Sequence, residues 1–377
     1  MSRDLCDHEI IRVAQEATRK IAPYAAAVDA EERFPVEGHA ALREAGLLGL
    51  SVAREYGGLG ANARTACLVV EEIAAACAST AALLLTWAGP VTGLQDFGTE
   101  EQKKRYLPAI AEGTCALSFA LTEDHCGSDA GALTTTAVRD GNYYILNGKK
   151  AWIGNAINAD VTLVAAKTDP TQNARGVTSF LVEKGTPGVS VQDMYSKMGC
   201  RGTRHGDLVL DNARVPATQI LGEPGRGLAQ MLHSLDYIRL MTAAHALGIA
   251  RSAYEALEDY ARNRTTFGVP LYKHQALAFR IADCATQLHA SRLIILHAAD
   301  ELDQGVEIGA KAAMAKLHAT ETATSVAHAA VQIHGAWGVK RGNAAERAYR
   351  DARVTEIWDG TSEIQRLVIA RSIFGRG

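Results

Sequence analysis

The residue whose type and setting most clearly allow chemistry is Asp359. It lies in Glu356-Ile357-Trp358-Asp359-Gly360-Thr361-Ser362, between a tryptophan and a glycine. A carboxylate packed against apolar groups such as Trp358 has a raised pKa, which suits it to take up a proton near neutrality. His125 and Cys126 put a base next to a nucleophile. Adjacent side chains rarely point at each other, so this pair reads as incidental. Gly57, Gly58 and Gly60 form a cluster that no strand precedes and no Lys-Ser/Thr pair follows. It reads as a loop and not a phosphate cradle. Arg239 stands three residues after Asp236, the spacing of an exposed helical ion pair.

Composition narrows the rest. The net charge of −3 gives no basic surplus for nucleic acid or an anionic membrane. The seven cysteines are scattered without a CxxC pair, which points to reduced thiols and to no metal site. The first residues are polar, without the apolar core of a signal peptide. The Ala/Leu-rich stretch 74–91 is interrupted by Ser79, Thr80, Thr86, Trp87 and Gly89, so it reads as a buried helix and not a membrane span. A cytoplasmic protein is the expectation.

Three zones must position these groups. Residues 7–115 carry helical periodicity, with Ile10, Val13, Ala14, Ala17 and Ile21 as one stripe and a kink near Pro23. Between about 116 and 222 the pattern turns to short apolar runs. Asp140-Gly141 and Asn147-Gly148 read as turns flanking Tyr143–Leu146. From Gly227 the helical period returns in four segments, about 227–264, 273–303, 307–334 and 344–373, joined by short links.

Several segments in that order carry a resemblance: Thr122-Glu123 with Gly127-Ser128-Asp129, Asn147-Gly148-Lys149-Lys150-Ala151-Trp152-Ile153-Gly154-Asn155, Lys197-Met198-Gly199, Arg264-Thr265-Thr266-Phe267-Gly268, Gln332-Ile333-His334-Gly335, Arg350-Asp351-Ala352, and Trp358-Asp359-Gly360-Thr361-Ser362. Together they resemble the acyl-CoA dehydrogenase family over essentially the whole chain. That resemblance implies an α+β fold. It comprises an N-terminal helical domain (1–116), a middle β-barrel or sandwich domain (117–224) and a C-terminal four-helix bundle (225–377).

The resemblance also implies FAD, an acyl-CoA substrate, an electron-transferring flavoprotein as partner and a homotetramer. Phe119, Leu121 and Thr122 would line the flavin edge, and Trp152 would stack beside the ring. Arg264, Thr266 and Phe267 would reach the FAD of a neighbouring subunit. Gln332 and Gly335 would meet the adenine end, and Thr361 would face the cofactor. Ser128 would hold the thioester carrier. Trp87, Ile238 and Trp358, with Leu83 and Leu84, would line a compact acyl pocket. Gly360 would border the substrate, and Arg239 would support the base segment. Asp359 falls where the family places a catalytic Glu, and its N–H would bond the thioester oxygen.

Three departures bear on activity. Asp359 is one methylene shorter than Glu, roughly 1.5 Å of reach. Ile238 occupies the family's other base position, so no second carboxylate substitutes. The family's Pro-Gly-Ala-Gly is Asp124-His125-Cys126-Gly127, and a Thr that usually touches flavin N5 is Gly154. Asp at the base position is known in dehydrogenases of cyclic acyl-CoAs such as cyclohexanecarboxyl-CoA, and in nitroalkane oxidase. The leading expectation is α,β-dehydrogenation of a cyclic or branched acyl-CoA. The alternatives are a nitroalkane-oxidase-type flavin oxidase, a dehydrogenase of a carrier-protein thioester, and a non-catalytic flavin-binding protein.

Overall fold

The computed structural model describes residues 5–375. Helix α1 (Asp7–Ile21) buries Ile10, Ala14, Ala17 and Ile21, the stripe its spacing predicts. Pro23 sits in a short 3₁₀ turn that redirects the chain into α2 (Ala25–Ala30). Next come α3 (Val36–Ala45), α4 (Ala63–Ala76), α5 (Ala78–Phe97) and α6 (Glu100–Ala111). Asn62 caps α4 by accepting from the Thr65 N–H at 2.8 Å, and Thr99 with Gln102 forms a capping box on α6. Helix α5 is apolar on nearly every side and buried on nearly every side, as a central helix must be. No helix among the described residues is long and apolar enough to cross a membrane.

The middle zone is one eight-stranded sheet. Its strands are β1 (Leu117–Ala120), β2 (Thr136–Asp140), β3 (Tyr143–Gly154), β4 (Val161–Lys167), β5 (Val177–Glu183), β6 (Val189–Met194), β7 (His205–Pro216) and β8 (Ile220–Leu221). The order is β6-β7-β3-β2-β4-β5-β8, with β1 added parallel to β4. Gly141-Asn142 is the turn between β2 and β3, one residue on from the expected Asp140-Gly141, with Gly141 at φ 57°. Asn147-Gly148 is not a turn, contrary to the expectation. Strand β3 runs through it with a shift of register against β7. Gly148 takes φ 152°, and a Cβ there would lie 2.4 Å from Thr135 Oγ1, so the glycine serves a bulge pressed against a neighbour.

The last zone is helical. It contains α7 (Gly227–Asn263), a hairpin of β9 (Thr265–Thr266) and β10 (Val269–Pro270), α8 (Gln275–Asp303), α9 (Gly309–His334), α10 (Ala344–Thr355) and α11 (Ser362–Phe374). Helix α7 is the spine of the molecule. It packs on α4 and α5, on β5, and on α8, α9 and α10. Helix α9 contributes mainly alanines to the core, which lets neighbouring backbones approach closely. The expected single helix over 344–373 is broken at 356–361. Asp359 and Gly360 take left-handed backbone angles (φ 56° and 96°) that no α-helix accommodates, and Thr361 caps a new helix through the Ile364 N–H.

Candidate active site

Asp359 lies in the break between α10 and α11, a segment fixed from two sides. From α9, the ammonium of Lys316 donates to Thr355 O at 3.0 Å and to Gly360 O at 2.8 Å. From α11, Gln365 Nε2 donates to Gly360 O at 2.7 Å. Lys316 is only 1% exposed, and burial pulls its pKa down to about 8, against the opposing pull of Asp359. The side chain of Asp359 turns toward α7, where Thr242 Oγ1 donates to its Oδ2 at 2.7 Å. Burial raises the pKa of Asp359. The Thr242 bond and the charges of Lys316 and Arg239 oppose that rise without cancelling it. Among the described residues, the Asp359 N–H has no acceptor.

The surrounding walls are apolar. Trp358 lies 5.4 Å, centroid to centroid, from the ring of His245 on α7. A methyl placed on Gly89 would meet Ile238 Cδ1 at 2.4 Å and Phe119 Cδ2 at 3.4 Å, so α5, α7 and β1 converge there. Trp87, Leu83 and Leu84 are buried on α5. Arg239 does pair with Asp236, at 2.7 Å, but it is buried and not on the surface, and its charge bears on Asp359.

The sheet supplies a second wall. A register shift between Lys150 and Ile153 puts Trp152 at φ 60° and half exposed, stacked on Tyr195 at 4.1 Å and 14°. Bulges re-aim side chains in this way. A Cβ on Gly154 would meet Thr86 Cγ2 at 3.1 Å and His205 Nε2 at 3.5 Å. The His205 imidazole is held down to about 4 by burial and by nearby Lys197. Ala151 N–H donates to Thr122 O, and the Thr122 hydroxyl has no partner among the described residues. Behind it, Glu123 accepts five bonds, from the N–H and hydroxyl of both Thr134 and Thr135 and from Lys150. Burial alone would raise its pKa, but Lys150 and these donors hold it at about 2.

The ligand atoms of Glu123, His125 and Cys126 lie within 4.8 Å of one another. Glu123 is committed elsewhere, His125 Nε2 faces Ala132 O at 3.1 Å, and burial pushes the Cys126 thiol up. Neither a nucleophile pair nor a ligand set results. Other expected site residues lie elsewhere in the chain. Arg264 caps the far end of α7, about 33 Å along its axis from Thr242, and Thr266 and Phe267 follow it in the β9–β10 hairpin. Phe267 is 98% exposed at the tip of the β9–β10 hairpin. Gln332 and Gly335 mark the far end of α9, about 24 Å from Lys316. There His334 stacks on Tyr260 at 4.3 Å. Ser128 is exposed in the loop after β1, and the Thr361 hydroxyl is occupied as a helix cap.

Three family models cover the chain in order: acyl-CoA dehydrogenase N-terminal domain over residues 7–114, middle domain over 118–213 and C-terminal domain over 225–374. The chain is 42% identical over 362 residues to the probable acyl-CoA dehydrogenase YngJ of Bacillus subtilis (strain 168), spanning 95% of this chain and 94% of that one. The chain belongs to the acyl-CoA dehydrogenase family. Its fold matches the solved butyryl-CoA dehydrogenase of Megasphaera elsdenii with a TM-score of 0.95, at 34% identity, over 99% and 100% of the two chains. It matches equally, at 37% identity and over 100% of both chains, a structure solved for the electron transferring flavoprotein of Acidaminococcus fermentans, TM-score 0.95.

Membership makes this acyl-CoA dehydrogenase relative a flavoprotein oxidoreductase that uses FAD. The residues present fit such a group. A half-exposed indole with one face on Tyr195, an unpartnered Thr122 hydroxyl and the side-chain-free edge at Gly154 suit a flat ring with polar rims. Motif reasoning did not single out Thr242, Lys316 or His205. Thr242 lies three and four residues from Arg239 and Ile238, on the same helical face, and that spacing was the available signal. Lys316 gave none, because a lone lysine among alanines reads as a solvated position.

Proposed function

We propose that this protein catalyses α,β-dehydrogenation of a compact acyl-CoA thioester, with Asp359 as the base. The observation that carries the proposal is a half-buried carboxylate whose pKa desolvation raises, fixed in a helix break whose own N–H remains available. A raised pKa makes this carboxylate a stronger base than an ordinary aspartate. The Asp359 N–H would bond the thioester oxygen and stabilise charge there as the α-proton leaves to the carboxylate. Bound FAD supplies a two-electron acceptor for the hydride from the β-carbon. The electrons then pass to an electron-transferring flavoprotein, the partner class named for the A. fermentans structure. Leu83, Leu84, Trp87, Ile238 and Trp358 favour a short, branched or cyclic acyl group over a long chain. The exposed Phe267 hairpin, remote from Asp359 in its own chain, fits a site completed by a neighbouring subunit in a homotetramer.

The test is an anaerobic titration of the yellow protein with butyryl-, isobutyryl- and cyclohexanecarboxyl-CoA, followed at the visible flavin band. At least one thioester should bleach it. Asp359→Asn should retain FAD and lose about 100-fold or more in bleaching rate. Bleaching by nitroethane alone would move the assignment to a nitroalkane oxidase, and a wild-type rate in Asp359→Asn would remove Asp359 as base.

A further inference from the structure

Buried threonines inside helices usually return their hydroxyl proton to a carbonyl one turn back. Thr320 does so with Lys316 O at 2.8 Å, and Thr355 does so with Ala352 O at 2.7 Å. Thr242 breaks this habit. It is fully buried in the middle of α7, and its hydroxyl donates across to Asp359 Oδ2 at 2.7 Å. A hydroxyl has one proton to give, so this bond excludes the local one.

The neighbours of Asp359 show how singular this contact is. On α7, Arg239 is already paired with Asp236. His245, next to Trp358, is buried and places Nε2 2.9 Å from Ala78 O. On α9, Lys316 is bonded to Thr355 O and Gly360 O. On α11, Gln365 is bonded to Gly360 O. Within the break, Glu356 is bonded to Thr324 and Arg353. The two cations near the carboxylate, Lys316 and Arg239, thus stabilise it only at a distance. Among the described residues, Thr242 alone donates to it, and it donates to one oxygen.

We propose that Thr242 is the positioning residue of this site, holding Asp359 Oδ2 against α7 so that Oδ1 is the oxygen that accepts the substrate proton. The inference rests on Asp359 being the base. Its physical content is twofold. The bond stops rotation of a short carboxylate that has little reach to spare. It also stabilises the anion over the acid, which keeps the base ionised at lower pH.

The experiment compares Thr242→Val, Thr242→Ser and Asp359→Asn with the wild-type holoenzyme. One readout is the pH profile of flavin reduction by whichever thioester of the panel bleaches the band. The other, independent of turnover, is an infrared titration of the protonated carboxyl stretch, assigned by its loss in Asp359→Asn. Thr242→Val should move the infrared titration and the acidic limb of the rate profile together to higher pH. At the low-pH end it should reduce flavin about tenfold or more slowly than wild type, the scale of a hydrogen bond to a charged group. Thr242→Ser should restore both. An infrared titration that does not move in Thr242→Val overturns the proposal. So does a shifted titration with an unmoved limb. If Asp359→Asn reduces flavin at the wild-type rate, the base reading falls and takes the catalytic role of Thr242 with it. The infrared shift then shows separately whether the bond tunes the carboxyl.

Discussion

Replacing Lys316 by methionine sets two effects of comparable size against each other, and the structure says which one each assay will see. The ammonium is 1% exposed, and its pKa falls from 10.5 to about 8. Burying it charged at pH 7 therefore costs up to about 3 kcal/mol relative to the unfolded chain. Methionine removes that cost. It also removes two hydrogen bonds. Gly360 O keeps Gln365, but Thr355 O has no second donor among the described residues. An orphaned buried carbonyl costs about 1–3 kcal/mol. The terms nearly cancel, so urea unfolding at pH 7 should show a change under about 2 kcal/mol. The charge has no such offset at Asp359. Lys316 lowers the Asp359 pKa, and its removal lets burial raise that pKa further. The acidic limb of flavin reduction should then move to higher pH in Lys316→Met, while Lys316→Arg, if it is folded, keeps the limb nearer wild type. A large loss of stability with an unmoved limb would refute this, because Lys316 would then be a structural peg with no electrostatic hold on Asp359.

Two further outcomes follow from buried groups outside the break. Lys150→Met leaves Glu123 as an unpaired buried carboxylate and should cost about 3–5 kcal/mol in urea unfolding, whereas Lys150→Met with Glu123→Gln should recover most of it. His245 is fully buried and neutral, its pKa pushed down to about 4. As pH falls from 6.5 to 4 the unfolded chain takes up a proton that the folded site refuses, so stability drops by up to about 3 kcal/mol across that window. In His245→Gln the pH dependence of unfolding should flatten there, and an unchanged slope would contradict the assignment.

The order of helices, strands and helices was legible because it rests on apolar periodicity, which local sequence carries. The stripe of α1, the buried α5 and the starts of α7, α8 and α9 all follow from it. Two local expectations failed for one shared reason. Asn147-Gly148 has the composition of a tight turn, yet pairing of β3 with β2 and β7 keeps the strand going, and the glycine is needed because Thr135 presses on it. Residues 344–373 have the composition of one helix, yet the chain breaks at 356–361 because donors from α9 and α11 satisfy the carbonyls that the break exposes. In both places partners distant in sequence overrule local preference.

The same reasoning explains why Asp359 could be picked out from sequence while the residues that govern it could not. Trp358-Asp359-Gly360-Thr361-Ser362 resembles the family's signature segment, and that likeness is visible as a string of letters. The properties of Asp359 come from Thr242, 117 positions earlier, and from Lys316, whose charge is buried only because α9 meets the α10–α11 break. A left-handed residue costs about 1–2 kcal/mol of local strain in a non-glycine side chain. Asp359 keeps that conformation because Lys316 and Gln365 fix the next carbonyl and Thr242 fixes the side chain. Backbone strain, buried cation and hydroxyl anchor thus form one arrangement. Its parts should be non-additive. In a double-mutant cycle, Thr242→Val combined with Lys316→Met should shift the Asp359 titration by an amount that differs from the sum of the single shifts, since both act on the same carboxylate. Simple additivity would mean that the two groups act on Asp359 independently, and the arrangement would then be no more than two separate neighbours.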